Sequence, residues 1–165
     1  MQERTVGVSM MYVSAFLLSL SPAALWADWQ YTRWGMKPEE VIQASGKIAI
    51  VEPNTTAHST ETATALLTAP YTTGRFNFDV KFLFNKKTSL LARVYLSLLD
   101  PNLCAELHGA LYSRYGKPES QNSAIMESSN WRDVQNNNGI ALIKIGNRSC
   151  SVQYWPLIDK EKSGL

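Results

Sequence analysis

Histidine, cysteine and net charge are all scarce in this sequence, and each shortage narrows what the chain can do. Among 165 residues there are two histidines, His58 and His108, and two cysteines, Cys104 and Cys150. A nucleophilic triad or a zinc site needs a histidine placed among partners. His58 lies in a Thr-rich stretch with no Gly-rich elbow, and Glu106-x-His108 turns its side chains to different sides of a helix. Both histidines read as solvated or structurally bonded, so no catalytic residue, no cofactor and no metal is assigned. Glu39, Glu40 and Glu61 are carboxylates without a catalytic pattern, and the first two suit a helix start. Sixteen Lys and Arg against fourteen Asp and Glu leave a charge of +2. That is too little for the concentrated basic face a nucleic acid requires. Neither a Walker motif nor Gly-x-Gly-x-x-Gly is present to cradle phosphate.

Long apolar runs are also absent after the N-terminus, where a membrane-crossing helix would need roughly 20 residues. The first 27 residues differ from the rest: Arg4 precedes "VGVSMMYVSAFLLSLSPAALWA", Ser21-Pro22 breaks the run, and small residues lie near Ala27. This pattern predicts a signal peptide over 1–27, cleaved after Ala27 or Ala24, and a single domain over 28–165 that is periplasmic or secreted. It predicts no stable membrane span after cleavage; the alternative is an uncleaved leader that anchors the domain. Export places Cys104 and Cys150 where disulfides persist, and their bridge closes a loop of about 46 residues. Two buried thiols are the alternative.

What is present points to an α+β fold. In "KPEEVIQASG" Pro38 suits the first helical position, Glu39 and Glu40 the positive end of the dipole, and Gly46 the C-terminal turn. Val41, Ile42 and Ala44 form the apolar side of this short helix, and "KIAIVE" follows as a strand. Residues 53–74, "PNTTAHSTETATALLTAPYTTG", read as a Thr-rich loop. "FNFDVKFLF" places Phe76, Phe78, Val80, Phe82 and Phe84 on one face with period two. "LLARVYLSLL" repeats the pattern with Leu90, Ala92, Val94, Leu96 and Leu98, so the pair forms a hairpin with one buried face. Asp100-Pro101 starts a second helix whose Leu103, Leu107, Leu111 and Tyr115 make a stripe ending at Gly116. Strands are expected at "SAIME", "NWRDV", "GIALIKI" and "SCSVQYW", with Cys150 facing the helix that carries Cys104. The architecture is an antiparallel sheet with two helices on one face, in two helix-then-strands units.

Aromatics gather at two places: Trp29, Tyr31 and Trp34 near the start of the domain, and Trp131, Tyr154 and Trp155 near its last strands. Exposed, they would anchor a partner; otherwise they cover the ends of a small core. Asn54-Thr-Thr and Asn147-Arg-Ser match the N-glycosylation pattern, which matters only in a eukaryotic secretory route.

Three segments, "WGMKPEEVIQAS", "CAELHGALYSRYGKP" and "NWRDVQNNNGIALIKIGNRSCSVQYW", with "FNFDVKFLFN" between the first two, resemble a group of uncharacterised exported bacterial proteins. The shared marks are the Trp-Gly-Met helix start, the Phe-rich strand, the Tyr-Gly-x-Pro helix end and the final Cys-x-x-x-Tyr strand. The resemblance covers most of 28–155, supports compartment and fold, and brings no catalytic motif. The helix-then-sheet rhythm is similar to the architecture of the beta-lactamase inhibitor protein and the outer-membrane assembly lipoproteins, whose members bind other proteins. The expected role is that of an exported or envelope-associated binding protein acting through surface recognition, with an envelope protein as partner. A cell-wall or glycan-acting hydrolase, or an inhibitor inserting residues 53–74 into an envelope enzyme, are the alternatives.

Overall fold

The computed structural model describes residues 28–56 and 58–157, so the leader expected over 1–27 lies outside the described residues. The chain forms α1 (Pro38–Ala44), β1 (Ile50–Val51), β2 (Ala63–Thr73), β3 (Phe76–Asn85) and β4 (Leu91–Leu98). A 3-10 turn, Pro101–Leu103, leads into α2 (Cys104–Tyr115), followed by β5 (Glu119–Asn122), β6 (Met126–Asp133), β7 (Asn138–Ile145) and β8 (Ser149–Pro156). All eight strands join one antiparallel sheet in the order β1-β2-β3-β4-β8-β7-β6-β5. One helix followed by four strands occurs twice, and each set of four is a meander. The two meanders meet at a central seam where Val94 pairs with Tyr154 and Leu96 with Val152. The architecture is therefore α+β, as its periodicities predict.

Period-two alternation builds the core. Phe78, Val80, Phe82 and Phe84 of β3, Leu96 and Leu98 of β4, Ile140 and Leu142 of β7 and Val152 of β8 are buried in one cluster. Val41 of α1 and Cys104, Leu107 and Leu111 of α2 enter the same cluster, so both helices contribute to it. Ala44, placed on the apolar side of α1 by its spacing, is exposed instead.

Three sequence expectations need correction. Residues 53–74 are not a loop throughout: Ala63–Thr73 is an eleven-residue strand paired along its length with β3. Its buried residues are mostly Ala, whose small side chains gave little apolar signal. Its register shifts between Ala65 and Leu67, and this bulge changes the face the strand presents. Ala63 and Ala65 pack with Leu83 on one side, while Leu67 and Ala69 join the main cluster on the other. Second, the strand after the "NKKTS" turn does not alternate from Leu90. A bulge between the pairs Leu83–Arg93 and Phe84–Leu91 leaves Ala92 over, so Leu91, not Leu90 or Ala92, enters the core with Val94. Third, "SAIME" and "NWRDV" are one strand, β6, and the polar, fully exposed β5 lies outside it.

On the opposite face of the sheet, Lys81 of β3 is buried and ion-paired with Glu52, and it also lies 3.0 Å from the Asp79 carboxylate. The Thr68 hydroxyl accepts from its ammonium at 3.0 Å.

Candidate functional site

The site is built around α2. The Asp100 carboxylate accepts the Asn102 N–H at 3.0 Å, Pro101 fills a position needing no donor, and Gly116 ends the helix at φ 81°. Two attachments fix its ends. Cys104 is bridged to Cys150 of β8, with Cα atoms 5.8 Å apart. The Trp131 indole of β6 donates to the Gly116 carbonyl at 2.8 Å. The expected disulfide thus holds the helix start to the last strand.

Beside α2 a cleft of about 400 Å³ runs towards the segment that begins the described chain. Its floor is Phe78, Leu96 and Val152 of the sheet, and Leu107, Ala110 and Leu111 line the helix side. Trp29, Tyr71 and Phe76 form the opposite wall, and Arg114, Tyr115, Asp133 and Asn136 stand at the mouth. The Trp29 ring meets the edges of Tyr71 at 5.4 Å and Phe82 at 5.8 Å between centroids. A cavity of this size, with apolar side chains on its floor and several converging polar groups, falls in the usual size range of a small-molecule site.

"WGMKPEEV" supports this wall. The Trp34 indole donates to Asn138 Oδ1 at 2.9 Å, the Trp34 backbone N–H donates to the Asp28 carboxylate, and the Asn138 amide donates to the Asp28 carbonyl. The first described residues are thereby tied to the start of β7. The Glu40 carboxylate accepts the Lys37 N–H at 2.7 Å, which accounts for it as part of the helix start.

The polar groups of the cleft are mostly satisfied. The Gln30 amide donates to the Tyr71 hydroxyl at 2.7 Å. Asp133 accepts from the Asn136 backbone at 3.2 Å and from its side-chain amide at 2.7 Å. Two carboxylates, Asp28 and Asp133, therefore line the cleft, and each is engaged by N–H donors. Burial pushes the Tyr154 phenol far above its ordinary range, and the neighbouring Tyr115 acts in the same direction. Tyr115 is also raised by burial, against the opposing pull of Arg114 and of the Tyr154 contact.

The aromatics singled out as partner anchors fall in three places. Trp29 is buried and lines the cleft, with Tyr31 half-buried against it at 6.1 Å and Trp34 half-buried in the brace just described. Trp131 is buried under the end of α2, its ring 5.8 Å from that of His108. Trp155 lies on the other face of the sheet, across Gly139 and within 5.9 Å of the Arg93 guanidinium. Trp29 and Trp131 are thus core residues and not exposed anchors, because their rings fill the gaps between helix, N-terminal segment and sheet. His58 lies 5.3 Å from the Tyr95 ring, on the sheet face that carries Lys81, and not in the cleft.

Sequence reasoning missed Tyr71, Arg114, Asn136 and Asn138. Tyr71 sat in the supposed loop, and Tyr115 was counted only as the end of a core stripe. The pair Arg114-Tyr115 directly before the helix-ending Gly116 was the one available signal.

Fold and cleft together define an α+β protein with a ligand-sized cleft between a tethered helix and an eight-stranded antiparallel sheet. Comparison with protein families, with curated proteins and with solved structures found no match to this chain. No helix among the described residues is long and apolar enough to cross a membrane.

Proposed function

We propose that this protein is an exported binding module, acting by recognition, and that it recognises its ligand in the cleft beside α2. The observation that carries the reading is the cleft itself: an apolar floor and aromatic wall of ligand size, beside the braced segment that carries Trp29 and Trp34. Aromatic walls supply contact area at small entropic cost, and the polar mouth orients what enters. The Cys104–Cys150 bridge supports export, because disulfides persist in oxidising compartments. An envelope protein as the delivered or receiving partner is part of the same proposal.

The test is native mass spectrometry of the domain over 28–165 after incubation with a small-molecule and lipid extract of a bacterial envelope. Ala110 is exposed yet borders the cleft, so Ala110→Trp fills the mouth without crowding the core. The expected result is an added mass on the wild type that Ala110→Trp does not retain. Equal retention by both proteins, or none by the wild type, overturns the assignment of the cleft.

A further inference from the structure

Among the charged and amide side chains that line the cleft, one has no hydrogen-bond or ion-pair partner among the described residues. Asn138, Gln30, Asp28 and Asp133 are all engaged within the protein. Arg114 is not: its guanidinium lies 5.3 Å from the Tyr115 ring centroid, and among the described residues it forms no ion pair. A guanidinium carries five N–H donors in a fork suited to a carboxylate. The adjacent Tyr115 hydroxyl, which also lines the cleft, carries an O–H donor. Two donors, one of them charged, therefore stand side by side above an apolar floor.

Asp133 also borders the mouth, but the charge of Arg114 acts on the Tyr115 hydroxyl more strongly than that of Asp133 does.

We infer that the cleft takes a small amphiphilic carboxylate, its chain lying between α2 and the sheet over Phe78, Leu107 and Val152 and its carboxylate held by Arg114 and Tyr115. This rests on the cleft being the recognition site. Each buried methylene adds about 0.8 kcal/mol of affinity by removal from water, so the floor favours an acyl chain. The charge-assisted bonds at the mouth select the head group.

The probes are three compounds with the same ten-carbon chain, namely decanoate, decanol and decyltrimethylammonium, titrated calorimetrically below their micelle concentrations. Decanoate is expected to bind about tenfold tighter than decanol, the worth of a charge-assisted hydrogen bond. The ammonium compound is expected to bind most weakly. Arg114→Gln should remove the advantage of decanoate and leave decanol unchanged, and Tyr115→Phe should remove part of it while keeping the ring. Equal binding of decanoate and decanol, or tighter binding of the ammonium, overturns the carboxylate site while leaving the cleft as a recognition site. Decanoate binding that survives Ala110→Trp overturns both, because the ligand then lies elsewhere.

Discussion

Lys81 stands in the strand with the clearest apolar alternation of the chain, and its ammonium is nearly as buried as the phenylalanines beside it. Its side chain retains 10% exposure and that of its partner Glu52 only 4%. A buried ion pair adds little net stability, yet removing one partner leaves an uncompensated charge. Lys81→Met should therefore destabilise the fold by about 3–5 kcal/mol, and Lys81→Met with Glu52→Gln by less, as read by urea denaturation. The pH dependence gives an independent check. Burial favours the neutral form of Glu52, but its hydrogen bonds with Lys81 and the Asn54 N–H and the nearby positive charge outweigh this, so its carboxyl lies below the ordinary range. Lys81 is likewise opposed by burial but raised overall by Glu52 and Asp79. A lowered acid contributes stability that is complete above its unfolded value and lost as pH falls through the folded one. A raised base contributes stability that is complete below its unfolded value and lost as pH rises through the folded one. Between the ordinary values of 4.5 and 10.5 the pair's contribution should be flat, and below that window it should fall. In Lys81→Met the slope should reverse on the acid side, because Glu52 is then governed by burial and gains by protonation. An unchanged acid slope in the variant would show that Glu52 and Lys81 are not coupled.

At the scale of elements, α2 is fixed at both ends and the cleft lies along its length. The bridge closes a loop spanning a sequence separation of 46 residues, so Cys104→Ser with Cys150→Ser should cost about 3–4 kcal/mol on the chain-entropy account. The Trp131–Gly116 bond and the buried Leu107 and Leu111 remain, so helix content by circular dichroism should persist at low denaturant. A drop below 1 kcal/mol in urea titrations would mean that packing alone holds the helix, the scale of a single hydrogen bond being about that size. Elements were legible where side chains were large and the ladder regular. The Phe-rich alternation of β3 located that strand, and the Leu spacing with Asp100 and Gly116 located α2. Strand β2 was illegible because Ala and Thr fill it and because its bulge at Leu66 moves the buried set to the other face. Strand β5, Glu-Ser-Gln-Asn at a sheet edge, has no buried face to leave a pattern. The disulfide was legible because one helix and one strand put both cysteines on facing surfaces. The cleft was not, since it is made by Tyr71, Arg114, Tyr115 and Asn138 from elements distant in sequence that only the β4–β8 seam brings together.

At the scale of the whole molecule, the two meanders have the same order of elements but not the same means of stability. The first holds Trp29 and the four buried side chains Phe78, Val80, Phe82 and Phe84, together with the Lys81 pair. The second ends in an edge strand that is exposed throughout and in β6, of which only Trp131 is buried, and it contains both cysteines. A thin core stapled covalently and a thick core left unstapled are two solutions for the same arrangement, since apolar burial and loop closure both oppose chain entropy. The halves should therefore open at different free energies once the staple is gone, because local opening follows local packing. Hydrogen exchange on the oxidised protein and on the Cys104→Ser, Cys150→Ser variant reads this directly. In the variant, amides of β5 and β6 should lose protection first, while those of β3 and β4, in the centre of the apolar cluster, should exchange only on global unfolding. The amides of β8 should fall between, since they are paired on one side with β4 and on the other with β7. Equal loss of protection across all eight strands would instead show that the β4–β8 seam makes one cooperative unit of the sheet, with the disulfide stabilising the whole and not its second half.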